Sequence, residues 1–341
     1  MLNTIKTMKK FLTISWIVAV FLFTAGVTNA GAVVPDTVDL DEVVVSGNRI
    51  EVVKSKAPIS VSVISEQEIR NHEASNILPV VSQMTPSMFV SETGMAGYPL
   101  GNGTGGQVNI RGIAGSPNAR VLMLVDGQPQ YMGIFGHPLP NFHMASNVER
   151  VEIVRGPASL LYGSNAMGGV INVITRKNEK EGLGGAAQVS YGSFNTQKYH
   201  AALDYKRGKL TTRIAFNHDR TDGHRDTSAF EITNLSLKMG YAINRHWNLE
   251  ANYMLADYSF EDPGSELDPM SMAFMGDITR NMATLALKNN YDRLDGGINA
   301  FYNWGAHTFS DGWQSTDVNA GINLYQGMKP WKGALVTAGF D

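Results

Sequence analysis

The hydrophobic and polar positions fall into two regimes. From Gly184 onward the period is two. Tyr199, Ala201, Leu203 and Tyr205 face one way and Lys198, His200, Asp204 and Lys206 the other. Trp247, Leu249, Ala251, Tyr253 and Leu255 alternate with Asn248, Glu250 and Asn252, and Ala283, Leu285, Leu287 and Tyr291 with Thr284, Lys288 and Asn290. A sheet with lipid on one face and water on the other requires this alternation, and a soluble sandwich satisfies it too. The connections separate the two. Short turns at 206–209, 243–246, 292–296 and 327–333 alternate with longer segments at 217–230, 257–280 and 306–317. Short turns at one end and long loops at the other are the two ends of an outer-membrane barrel. The first outer connection, 192–196, is short and departs from the rule. About nine antiparallel strands fit the pattern.

Residues 55–176 read differently. A strand fits 59–64, and Ser65 with Glu68 forms a capping box that opens a helix over 66–72. A second short helix fits 76–82 and ends near Pro86. A Gly-rich loop at 94–106 follows, then strands at 108–111, 120–125, 148–154 and 170–175, with Asp126-Gly127 as a turn signal. This is a mixed α+β domain of ordinary size. Gly101-x-Gly103-x-x-Gly106 has the spacing of a dinucleotide fingerprint but opens a strand, so it offers no helix N-terminus to a phosphate.

At the start, Lys6, Lys9 and Lys10 precede an apolar run over 11–23. That run is shorter than the roughly 20 residues a spanning helix needs. Small residues around Ala30 follow, so 1–30 reads as a secretory signal cleaved near Gly31 or Val33. A flexible stretch leads to Asp41, Glu42, Val43, Val44, Val45 and Ser46. Three β-branched residues after two acids suit an exposed strand. It either adds to the edge of a partner's sheet or begins the next domain.

Composition narrows the class. The 341 residues suffice for two domains, and a net charge of −3 gives no sign of a nucleic-acid partner. The absence of cysteine excludes disulfides and thiolate metal sites. A mean hydropathy of −0.13 does not argue against a membrane, because barrel strands carry a weak signal. No nucleophile elbow, His-Glu-x-x-His or paired-carboxylate signature is present, so the chain is not read as an enzyme, and no cofactor or metal is assigned.

Four motifs carry a resemblance. They are Asn109-Ile110-Arg111-Gly112, Leu124-Val125-Asp126-Gly127, the run from Glu149 to Pro157, and the run from Tyr162 to Thr175. In order and spacing they resemble the plug of TonB-dependent outer-membrane receptors. Pro86-Ser87-Met88 departs from the Pro-Gly-Val common in such plugs. The resemblance implies a signal at 1–30, a flexible segment with a TonB box at 31–50 (Asp41 to Ser46), a plug at 51–178 and barrel strands over 183–341. It implies TonB as energy partner, outer-membrane lipid around the barrel, and plug–barrel contacts at Arg111 and Arg155 with wall glutamates on later strands than those seen here. It implies active import of a scarce nutrient, with an iron chelate (siderophore or haem) as cargo; cobalamin, or a remnant that does not transport, are the alternatives. Loops 94–106 and 129–143 should face the ligand with Met95, Tyr98, Tyr131, Met132, Phe135, His137 and His143. A histidine there could ligate haem iron or be an ordinary loop residue. Glu261, Asp262, Glu266 and Asp268 form an acidic outer loop, suited to Ca²⁺ or simply solvated. A plugged lumen takes about 22 strands, so the expected barrel is incomplete and the chain reads as a fragment or a truncation.

Overall fold

The computed structural model describes residues 43–341 apart from 45–48, 51, 58, 93, 95, 100–105, 115–119, 135, 137, 164, 268–272 and 332. The export signal, Asp41, Glu42, Val45, Ser46, Met95, Phe135, His137 and Asp268 therefore lie outside the described residues.

The first strands are short: β1 (Val43–Val44) pairs antiparallel with β2 (Val52–Val53). β3 (Val61–Ser65) runs into α1 (Glu66–Asn71) through the expected capping box. Ser65 donates its N–H to Glu68 Oε2 at 2.7 Å, and Glu68 returns its N–H to Ser65 Oγ. These Ser65 bonds hold the Glu68 carboxyl below the usual range. α2 (Ile77–Met84) is capped by Asn76, whose side chain accepts from Leu78 N. Pro79 falls in the first turn, where no intrahelical N–H is lost. Ile77, Leu78, Val80 and Val81 face the core.

β4 (Met88–Val90) and β5 (Val108–Ile110) form a hairpin pair. The main plug sheet uses β3 with β6 (Val121–Val125), β7 (Gln128–Pro129), β8 (Val148–Arg155) and β9 (Gly169–Thr175). Its order is β3-β8-β9-β6-β7, with β9 and β6 parallel and the other pairs antiparallel. β6 and β9 are buried at every residue, as central strands covered on both faces are; β6 is apolar throughout, and β9 buries Asn172 and Thr175 among its apolar residues. The one-turn α3 (Ser159–Tyr162) precedes β9. Gly169 has φ +152°, and a side chain there would collide with the Val154 carbonyl, so this position of the motif must be glycine.

Nine strands follow as a meander: β10 (Gly182–Gly192), β11 (Thr196–Arg207), β12 (Leu210–Thr221), β13 (Phe230–Ala242), β14 (Trp247–Asp262), β15 (Phe274–Asn290), β16 (Leu294–Phe309), β17 (Gln314–Met328) and β18 (Val336–Phe340). Each pairs antiparallel with the next, and β10 and β18 are the free edges among the described residues. The alternation holds. Ile214 and Phe216 lie on the outer face and Arg213, Asn217 and Asp219 are buried on the inner one.

The outer connections differ from expectation. β14 to β16 have 16, 17 and 16 residues, more than the roughly 10 that cross a bilayer. Strand pairing continues past the length a bilayer crossing needs and consumes residues that looked like loop. The connection expected over 257–280 shrinks to 263–273, and the one over 306–317 to 310–313. The polar stretches there are wet strand.

Candidate functional site

The junction of plug and inner wall concentrates the charged and polar contacts, and it begins with β1. Val44 is fully buried and packs in a cluster with Val61, Leu122, Leu124, Val154 and Val170. The exposed strand expected from sequence thus has a sheet of its own in this state, through β2. Past it, Arg49 places its guanidinium over the Tyr162 ring, 4.9 Å from the centroid, and forms a two-armed pair with Asp341 at 2.8 and 2.9 Å.

An ionic lock follows at the turn after β6. Asp126 accepts from Thr175 N at 2.9 Å, Thr175 Oγ1 at 2.6 Å and Lys238 Nζ at 2.9 Å. Burial opposes the Asp126 carboxylate, but the Lys238 ammonium and the Thr175 bonds outweigh it and hold the carboxyl below its usual range. Lys238 also donates to Thr175 O, so this wall lysine ties together the turn and the end of β9. Nearby, Glu250 on β14 bridges Lys177 of the plug at 3.1 Å and Lys288 of β15 at 2.7 Å. Asn147 donates to Ser236 and accepts from Arg213, which also grips Asp204 at 2.6 Å.

Sequence reasoning placed the plug–barrel contacts at Arg111 and Arg155. Arg155 donates to Ser60 Oγ within the plug, and Arg111 is exposed in the turn after β5. Neither pairs with a wall carboxylate among the described residues. The contacts that form use Asp126 and Asn147, plug residues at ends of strands. Their wall partners Lys238 and Arg213 are cations on an inner face, which was the available sequence signal.

The outer loops are stitched to each other and to the wall. Tyr98 and Asn141 exchange two bonds: Tyr98 N donates to Asn141 Oδ1 and Asn141 Nδ2 donates to Tyr98 O, each at 2.9 Å. Tyr98 is 2% exposed and His143 1%, which corrects the expectation that they face a ligand. Tyr98 belongs to the plug core, in one apolar cluster with Val108 and Ile110 of β5 and Ile77 and Val81 of α2. His143 lies edge-on to Phe142, and its backbone carbonyl accepts from Ile77 N. Tyr131 is half-buried beside the cluster around Leu122. Met132, Leu139 and Phe142 pack against Phe230, Ile232, Tyr258 and Met282 of the wall.

Three bonds fasten β7 and the loop after it. Asn323 Nδ2 donates to Gln128 Oε1 at 3.0 Å, Asn303 Nδ2 to Pro129 O at 3.0 Å, and Gly133 N to Asp317 Oδ1 at 2.7 Å. Asp317 pairs in turn with Arg280. Towards the strand ends, half-buried Phe274, Phe309 and Trp313 form an aromatic shelf, with centroids 5.1 and 5.2 Å apart. In the acidic loop, Glu266 pairs with Arg225 at 3.5 Å and Glu261 accepts from Ala229 N. No group of three candidate ligands capable of holding a metal occurs among the described residues.

Burial pulls the His143 imidazole down from its ordinary value to about 3. A histidine depressed in the folded state contributes stability above its unfolded pKa of about 6.5, and this is lost as pH falls towards the folded value. Calorimetry of the protein in detergent should therefore show this domain weakened by roughly 2 kcal/mol at pH 5 relative to pH 7. His143→Gln should remove that pH dependence; an unchanged slope in the variant would assign it to another group.

Residues 53–170 match the TonB-dependent Receptor Plug Domain family. The chain is 33% identical over 224 residues to the vitamin B12 transporter BtuB of Vibrio vulnificus (strain CMCP6), covering 63% of this chain and 33% of that protein. Its fold is similar to that of the ferric citrate transporter FecA in the unliganded form, at 20% identity and TM-score 0.66, covering 82% of this chain and 46% of FecA. It is also similar to the siderophore receptor PirA of Pseudomonas aeruginosa, at 20% identity and TM-score 0.62, covering 82% and 47%. The chain thus spans about a third of the length of the curated relative and about half of the solved receptors.

Proposed function

We propose, from the premise that this chain is the plug of a TonB-dependent receptor followed by part of its outer-membrane barrel wall, that it serves TonB-dependent import of a scarce, bulky nutrient. One observation carries the reading. The plug is fastened to the inner wall by polar contacts from its sheet to its outer loop, at Asp126, Asn147 and Gly133. Such contacts close a passage and can be broken by work delivered from outside the domain. TonB supplies that work by pairing with the strand around Val43 and Val44 and drawing on the plug. No bond in the cargo needs to be made or broken.

The cargo is an iron chelate, siderophore or haem. The aromatic shelf of Phe274, Phe309 and Trp313 supports this, since ring faces suit planar and catecholate ligands. Cobalamin is the second reading, favoured by the 33% identity to a vitamin B12 transporter. Growth of a deletion strain on single iron chelates and on cobalamin tests both. Loss of growth on one iron chelate supports the first and loss of cobalamin-dependent growth the second. Unimpaired growth on all sources would leave a remnant that does not transport.

A further inference from the structure

The outermost of the three loop bonds is built differently from the others. The bonds at Gln128 and Pro129 come from neutral asparagine side chains. The bond at Gly133 is accepted by a carboxylate whose second oxygen is taken by Arg280. Arg280 is 1% exposed, and its Nε and Nη2 have no hydrogen-bond partner. A buried guanidinium that uses one arm for one carboxylate is costly to keep, so the contact it makes should matter.

The strands make room for it. Arg280 on β15 faces Gly305 on β16, and Gly305 faces Asp317 on β17. The arginine crosses the middle strand over Gly305, where an added side chain would stand 2.6 Å from Arg280 Cδ. A glycine in a barrel strand weakens it, and here it leaves the lane along which the two charges meet across β16. Between Pro129 and Ile134, the Gly133 bond is the loop's polar tie to the wall among the described residues.

We infer that Asp317 is a clasp that holds the plug's outer loop, residues 129–134, against the wall, with Arg280 as the positioning residue that aims the carboxylate at the Gly133 N–H. The inference rests on the receptor reading for its orientation, since that reading puts the 129–134 loop and the 263–273 connection on the cell's outer side.

The test is cysteine accessibility in the full-length receptor on intact cells. These 341 residues contain no cysteine, so a cysteine introduced here is their single labelling site, and the parent without it sets the background. Ile134→Cys reports the loop, and Leu267→Cys, 95% exposed in the outer connection, reports surface display. A membrane-impermeant maleimide should label position 134 slowly in the parent and about tenfold faster in Arg280→Ala/Asp317→Ala, the factor expected for one charge-assisted bond. The double change leaves no unpaired buried charge, so the wall should still assemble. Arg280→Met keeps the bulk and removes the charge. It should label as fast as the double variant, whereas a merely space-filling arginine would leave it at the parent rate. Parent-like labelling at 134 in both, with normal labelling at 267, overturns the clasp. Labelling at 267 only after lysis would instead overturn the outward placement. The 134 comparison in detergent then still decides the clasp: faster labelling there upholds it and parent-like labelling refutes it.

Discussion

Val44→Pro is expected to abolish uptake while ligand binding at the cell surface persists. Val43–Val44 is the described part of the segment that should add as a strand to TonB. Proline has no N–H and cannot donate to a ladder. The structure sharpens the expectation. In the resting state this strand is already paired with β2, and Val44 is fully buried beside Leu122 and Leu124. Proline would therefore loosen the strand from the plug as well as spoil its pairing with TonB. Release alone would favour uptake and lost pairing would prevent it, so the sign of the result separates the two effects. A companion, Val44→Thr, keeps the N–H and the β-branched shape while placing a hydroxyl in the apolar cluster. It should free the strand without blocking the ladder and retain transport. Radiolabelled cargo, with binding and uptake measured separately, checks both. Transport by the proline variant at the parent rate would place the box elsewhere.

How far these elements were legible in the sequence depends on whether their causes are local. The capping box at Ser65 and Glu68 is a four-residue signal, and it forms as read. The inward and outward faces of β11 to β17 follow from a period of two, and a strand has no other way to satisfy it. The ends of β14 to β16 were misplaced because polar residues above the bilayer look alike in a loop and in a wet strand. Tyr98 and His143 were misread for a related reason. A Gly-rich loop suggests surface, whereas the bonds between Tyr98 and Asn141 link residues far apart in the chain. The resemblance to plugs identified the domain, and the wall partners it implies for Arg111 and Arg155 belong to later strands, so the contacts at Asp126 and Asn147 come in addition. The fastenings that form depend on which wall cation lies opposite which plug turn, a register that no single segment encodes.

Lys238→Ala should be among the most damaging single substitutions in the wall. It removes the cation from a buried carboxylate, and Asp126 is left with only the Thr175 bonds. Breaking one half of a buried pair costs about 3–5 kcal/mol, mostly through the charge left behind. The turn after β6 leads directly into β7 and the fastened outer loop, so a loosened turn should also unsettle the loop. Two outcomes are expected: a lower temperature for the plug transition in calorimetry, and, on the receptor reading, leakage of a large hydrophilic dye or antibiotic across the outer membrane of cells carrying the variant. Asp126→Asn/Lys238→Met supplies the decisive comparison. It removes both charges, keeps similar volumes, and leaves the amide able to accept from Thr175. Replacing both members of a buried pair is often neutral, so the double variant should recover most of the lost stability. If it is as unstable and leaky as Lys238→Ala, the lysine acts through something other than its charge on Asp126, and its bonds to the Thr175 carbonyl and hydroxyl become the ones to explain.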